Sequence, residues 1–196
     1  MTRPRVMVVD DEPALLDLYE TWLGELDVSV VRAGCGSEAL AAYDDTIDAM
    51  VVDRHMPRVS GDEVLAELRE RERTPPIAFV SAATPDVGIV DLDIDAYLTK
   101  PVSRQEYVDL VESLLRRDTV CEEVACYLAD LSKRAALLEA ESLSVLRTNP
   151  TYAALETDLV RQASTLPRQV ADDPFVRQAL PDGGAGDPSG TFDPTA

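Results

Sequence analysis

The sequence predicts an α/β fold: a five-stranded, parallel, doubly wound sheet, then a small α-helical hairpin and a disordered tail. Three observations carry this. Short apolar runs alternate five times with helix-like segments over residues 1–118, the pattern of repeated β-α units. The runs are short and apolar, as strands buried on both faces are. After residue 118 strand signals stop and helical spacing takes over.

The elements follow in order. "RVMVVD" (5–10) is the first strand, ending in acid. Pro13 opens a helix with Leu15, Leu18, Trp22 and Leu26 at helical spacing. "VSVVRA" (28–33) is the second strand, and residues 37–45 form a short helix with Ser37 as N-cap. "DAMVVD" (48–53) is the third strand and residues 61–71 the third helix. "PIAFVSA" (76–82) is the fourth strand, followed by a weak helix over 85–93 that contains Gly88. "DAYLTK" (95–100) is the fifth strand, and residues 103–117 form a strongly amphipathic fifth helix.

A second unit covers 119–167. Val120, Val124, Tyr127, Leu131, Ala135, Leu138 and Val145 recur at three- and four-residue steps. Arg134 and Glu141 break a strict heptad, which excludes a long coiled coil. Asn149-Pro150 reads as an N-cap and first-turn proline, with Tyr152, Leu155, Leu159 and Ala163 on one face of a second helix. Such a hairpin must bury its stripes on the first unit, on itself or on a second chain. Residues 168–196 are rich in Pro, Gly and Asp, and disorder is expected there.

Composition bounds the function. A 196-residue chain, 45% hydrophobic, suits one ordinary domain plus something smaller. The formal net charge of −19 disfavours simple electrostatic binding to nucleic acid. The lysines are Lys100 and Lys133, and this acid-rich, Lys-poor composition is similar to that of proteins from salt-loving organisms. In molar salt the Debye length falls to roughly 3 Å, which screens such a surface. The alternative is a functional acidic surface. Cys35, Cys121 and Cys126 lack metal-type spacing and fit a reducing cytoplasm. Neither a signal peptide nor a transmembrane run is read, so a cytoplasmic protein without membrane partners is expected.

The chemistry gathers at the carboxyl ends of the predicted strands, where open α/β sheets place their function. Asp10 and Asp11 follow the first strand, Asp53 ends the third, Ser81 lies at the end of the fourth, and Lys100 ends the fifth. Clustered carboxylates need a cation between them, and hard oxygen ligands suit Mg²⁺. A metal there would also bind a phosphoryl oxygen. Asp53 is then a candidate nucleophile, with Ser81 and Lys100 placed to contact phosphoryl oxygens.

The motifs "VVDDEP" (8–13), "VVDRHMPRVSG" (51–61), "VSA" (80–82) and "YLTKP" (97–101) occur in one order and at compatible spacings. On them, residues 4–118 resemble the receiver domain of a two-component response regulator, a flavodoxin-like fold. The resemblance implies phosphorylation of Asp53 by a sensor histidine kinase. It implies Mg²⁺ held by Asp11, Asp53 and the backbone carbonyl of His55, with Asp10 completing the acidic pocket. It implies that Ser81 moves toward the phosphoryl group and Tyr97 rotates inward. The surface of the fourth helix, fifth strand and fifth helix then changes. It also implies a cis peptide before Pro101. Tyr97 is otherwise plain packing. His55, the single histidine, has no second His or Cys ligand beside it, so its ring is not expected on a metal.

Residues 127–141 and 149–162 are similar to the short helical domain, often called HalX, that follows receivers in certain haloarchaeal regulators. Residues 119–196 hold 6 basic and 12 acidic residues, and no basic recognition helix is readable among them. The expected function is therefore phosphorylation-controlled signalling that regulates transcription through a protein partner or a homodimer. The expected chemistry is stoichiometric phosphorylation and slow dephosphorylation, not enzymatic turnover. The rivals are a directly DNA-binding regulator and an aspartate-nucleophile phosphatase. The latter class places its nucleophile on the first catalytic strand as D-x-D, whereas Asp53 lies on the third strand and is followed two residues later by His55.

Overall fold

A computed structural model of the chain describes residues 3–71, 74–116 and 122–166. The predicted tail (168–196) and the boundary at 118/119 lie outside the described residues. Five parallel strands form the sheet: β1 (Arg5–Val9), β2 (Ser29–Ala33), β3 (Ala49–Val52), β4 (Ile77–Ser81) and β5 (Ala96–Thr99). Their spatial order is β2-β1-β3-β4-β5. Side chains alternate between two cores, as the pleat requires. Val6, Val8, Val51 and Val80 face α1 (Pro13–Leu23) and α4 (Arg104–Arg116). Met7, Val9, Val52 and Phe79 face the other layer, with α2 (Gly36–Ala42) and α3 (Gly61–Arg69).

Several expectations shift. The buried stripe of α1 is Leu16, Tyr19 and Leu23, and Leu18 is 39% exposed. Tyr19 turns the helix, because its ring stacks on Tyr107 with centroids 4.1 Å apart and planes 4° from parallel. Ser37 is not the N-cap of α2. Cys35 holds that position without a side-chain bond, and Glu38 reaches back to accept from the Gly34 N–H at 2.7 Å. The predicted helix over 85–93 is a 3₁₀ helix, Val87–Asp91. Asp86 accepts from the Gly88 N–H at 2.7 Å and closes a tight turn in a β-branched, Gly-containing run with little α-helix propensity.

α3 begins with a capping box. Ser60 Oγ accepts from the Glu63 N–H, and the Glu63 carboxylate accepts from the Ser60 N–H at 2.8 Å. Ser60→Ala is expected to cost about 1 kcal/mol, read as a lower urea midpoint at unchanged slope.

The segment after α4 forms three helices: α5 (Glu122–Ala140), α6 (Leu143–Leu146) and α7 (Pro150–Thr165). The predicted first helix of the hairpin is thus broken at Ser142, whose extended backbone (φ −68°, ψ 143°) starts α6. The buried face of α5 uses Val124, Tyr127, Leu131, Ala136 and Leu137, while Ala135 and Val145 are exposed. Asn149 caps α7 as expected, accepting from the Thr151 and Tyr152 N–H groups, and Tyr152, Leu155 and Leu159 are buried.

Two of the three packing options for these helices are realised together. α5 packs on α7, and both pack on the sheet unit along the 3₁₀ helix, with α5 also against β5. Tyr127, Leu131 and Tyr152 share one hydrophobic cluster with Phe79, Ile89 and Tyr97. Lys133 is buried in this contact. Its Nζ donates to the Val90 carbonyl at 3.2 Å and lies 3.9 Å from Asp130. Burial lowers its pKa, and Asp130 opposes the shift.

Candidate functional site

Strand register builds the site. β1 and β3 pair with Val9 opposite Val52, so Asp10 and Asp53 leave the sheet side by side. Asp53 N–H donates to the Val9 carbonyl at 2.8 Å. β4 and β5 pair with Ser81 opposite Thr99, and the Lys100 N–H donates to the Ser81 carbonyl at 2.9 Å. Four sequence-distant residues therefore converge at one edge of the sheet.

The side chains form a network. Lys100 Nζ lies 2.7 Å from Asp10 Oδ2 and 2.7 Å from Asp53 Oδ2. Ser81 Oγ donates to Asp53 Oδ1 at 2.8 Å, and the His55 N–H donates to the same oxygen at 3.1 Å. Asp10 Oδ1 accepts from the Glu12 N–H at 3.0 Å. Carboxylate oxygens of Asp10, Asp11 and Asp53 lie within 4.8 Å of one another. Asp10 and Asp53 are buried, while Asp11 is exposed. Burial raises the pKa of Asp10, against the Lys100 ammonium, which lowers it. Burial works to lower that of Lys100, but its bonds to both aspartates carry it above the usual lysine value.

Three carboxylates thus cluster here, and one ammonium bonds two of them, Asp10 and Asp53. The three are a hard-oxygen set short of positive charge, with an exposed member on the solvent side, and this fits a Mg²⁺ ion. His55 is exposed, and its N–H faces Asp53. The Lys100-Pro101 peptide is cis, as expected from the resemblance.

Tyr97 is buried at 2% exposure. Its hydroxyl donates to the Ala83 carbonyl at 2.8 Å. Ala83 N–H in turn points to Ser81 Oγ at 3.4 Å. Ser81 and Tyr97 both face inward, toward the loop that follows β4.

Sequence reasoning underrated the loop after Asp53. A Cβ on Gly61 would lie 2.6 Å from the Asp53 carbonyl oxygen and 2.8 Å from Arg54 Cα. Gly61 N–H donates to the Arg54 carbonyl at 2.9 Å, and Arg54 Nε pairs with Asp62 at 3.0 Å. Arg58 turns this loop at φ 73°. The glycine at 61 was visible in the sequence, but its approach to Asp53 is a tertiary fact that no local spacing encodes.

Fold and site together define an α/β protein with an aspartate-lined, lysine-bridged pocket at the carboxyl edge of its sheet. The family described as "Response regulator receiver domain" matches residues 6–112. The chain belongs to that family. It is 43% identical over 151 residues, 73% of its length, to a Haloferax volcanii protein whose name places it among transcriptional regulators, and it spans 26% of that protein. It is 34% identical over 180 residues to the transcriptional regulatory protein TrcR of Mycobacterium tuberculosis, covering 84% of this chain and 66% of TrcR. The chain therefore spans between about a quarter and two thirds of these two relatives. Among solved structures, a Francisella response regulator receiver domain is similar at 28% identity and a TM-score of 0.54, over 59% of this chain and 99% of that one. A CheY-like receiver protein from Methanospirillum hungatei shares the fold at 22% identity and a TM-score of 0.56, over 60% and 98% of the two chains. No helix among the described residues is long and apolar enough to cross a membrane.

Proposed function

We propose that this chain is a phosphorelay response regulator in which Asp53 accepts a phosphoryl group from a sensor histidine kinase. The observation that carries the reading is the shared grip on Asp53: Lys100 on one oxygen, Ser81 and the His55 N–H on the other. In the transfer, an Asp53 carboxylate oxygen attacks phosphorus. An O–P bond forms, the P–N bond to the donor imidazole breaks, and the leaving nitrogen keeps the electron pair. Lys100 and Ser81 are placed to hold phosphoryl oxygens, by charge and by hydrogen bond. Asp10, Asp11, Asp53 and the His55 carbonyl would hold Mg²⁺, which supplies positive charge to offset the carboxylates and the incoming phosphoryl group.

Each chain takes up one phosphoryl group and loses it slowly, without multiple turnover. The output is control of transcription, supported by the names of the relatives. The net −6 of residues 119–196 (6 basic, 12 acidic) favours a protein partner or a second copy over DNA. The helices α5 and α7 carry the resemblance to the HalX domain, and the site of action is the cytoplasm.

Incubation with acetyl phosphate and Mg²⁺, followed by intact-mass analysis, tests the reading. The native chain gains one phosphoryl group, and Asp53→Asn gains none. Labelling of the variant at the native level overturns the assignment of Asp53. Sustained turnover of a small phosphoester by the native chain would favour the phosphatase class instead.

A further inference from the structure

The helices beyond α4 occupy a place that matters for the site. β5 is an edge strand, with β4 on one side. An edge exposes unpaired backbone groups, and covering it with a helix is one way a protein satisfies them. Here α5 lies on that edge. The Tyr97 N–H, in the middle of β5, donates to Ser132 Oγ of α5 at 3.1 Å. Lys133, the next residue, reaches the Val90 carbonyl in the 3₁₀ helix at 3.2 Å. The cluster behind them joins Tyr127 and Leu131 of α5 to Phe79, Ile89 and Tyr97.

The same tyrosine leads back to the acidic pocket. Its hydroxyl binds the Ala83 carbonyl, Ala83 N–H points to Ser81 Oγ, and Ser81 Oγ donates to Asp53 Oδ1. One continuous path of polar contacts thus runs from Asp53 through Ser81, Ala83 and Tyr97 to Ser132. Both ends of Tyr97 are engaged: its backbone by the helix, its hydroxyl by the loop beside the pocket.

We infer that α5 is a built-in partner of the β5 edge whose docking is coupled to Asp53 through Tyr97 and Ser132, so that phosphorylation of Asp53 tightens the helix on the sheet. The sign follows from the contacts. With α5 docked, Ser81 already faces Asp53 and Tyr97 is already buried against the Ala83 carbonyl. A phosphoryl group on Asp53 offers Ser81 further acceptor oxygens on the same side, so it favours the arrangement that the docked helix favours. Coupling of this kind is reciprocal: whatever Asp53 occupancy adds to docking, docking adds to occupancy. The inference rests on the phosphoacceptor reading of Asp53. Ser132 is a positioning residue in it, acting through Tyr97.

Amide hydrogen exchange on the full chain tests it, with intact mass recording phosphorylation in parallel. Acetyl phosphate with Mg²⁺ is expected to slow exchange of amides in 122–140 about fivefold, with those of α1 on the opposite face unchanged. Ser132→Ala is expected to become phosphorylated yet lose most of that slowing. It is also expected to shift the lifetime of the phosphoryl group, which a purely local packing role would not do. Ser132→Thr, which keeps the hydroxyl, is expected to restore both. Phosphorylation that leaves α5 exchange unchanged, or speeds it, overturns the inference while leaving the phosphoacceptor reading intact. If the native chain takes up no phosphoryl group, that reading falls, and the link is read from Asp53→Ala alone. Loss of the acceptor for Ser81 is then expected to speed α5 exchange selectively, and no change in α5 sinks the coupling.

Discussion

Lys100→Met is expected to destabilise the protein by about 3–5 kcal/mol near neutral pH in the absence of divalent ions. Lys100 is the ammonium that bridges Asp10 and Asp53, at 2.7 Å from each. Its removal leaves two buried carboxylates facing each other with no counter-charge. Mutual repulsion and desolvation then act together, and neither carboxylate can retreat, because each follows directly from a central strand. Mg²⁺ is expected to restore much of the loss by replacing the missing charge, and urea midpoints with and without the ion measure this. pH supplies an independent check. Burial raises the pKa of Asp10 in the folded state above 3.8. A raised carboxyl pKa means that folding favours the neutral form, so the contribution is fully present below the unfolded value and is lost as pH rises through the folded one. Without Lys100 the effect of burial on Asp10 loses its largest opposition. The gap between variant and native stability is therefore expected to narrow as pH falls into the acid range and Asp10 takes up its proton. A gap that stays constant from neutral pH to acid would show that Lys100 contributes through packing instead.

Gly61→Ala is expected to cost about 1–3 kcal/mol and to slow phosphorylation of Asp53 by about a hundredfold. The added Cβ meets backbone, not a flexible side-chain end: the Asp53 carbonyl oxygen at 2.6 Å and Arg54 Cα at 2.8 Å. Something must shift, and the atoms that shift belong to the nucleophile's own residue and its neighbour. The loop is held by the Gly61-to-Arg54 hydrogen bond and by the Arg54–Asp62 pair, so strain is passed to Asp53 and not dispersed. Acetyl phosphate labelling rates and thermal unfolding together check it. A variant that loses stability but labels at the native rate would separate the loop from the chemistry.

The sheet was legible because each strand is a short apolar run punctuated by polar residues, and parallel strands buried on both faces look like that. The pocket was legible for a related reason. Parallel strands all end at the same edge, so residues that terminate separate runs, Asp10, Asp53, Ser81 and Lys100, must meet there. Helix faces were less legible. The face of α1 depends on Tyr19, an amphipathic ring whose stacking partner Tyr107 lies far along the chain. In α5 the expected stripe through Ala135 gives way to Ala136 and Leu137, because the helix is buried from two sides, by β5 and by α7. Least legible was the role of Ser132. A serine inside a helix carries no local sign that it will satisfy a strand N–H elsewhere in the fold.

The hydrophobic cluster that runs from Phe79 and Ile89 into Tyr127 and Tyr152 has a consequence for what counts as a unit of this protein. A segment boundary near residue 118 separates two patterns of sequence, but the cluster crosses it. Cooperativity follows shared burial, not sequence pattern. The sheet and the helices of residues 122–165 should therefore melt together, and a piece cut between them would inherit a raw apolar face. What was joined as two modules behaves, thermodynamically, as one.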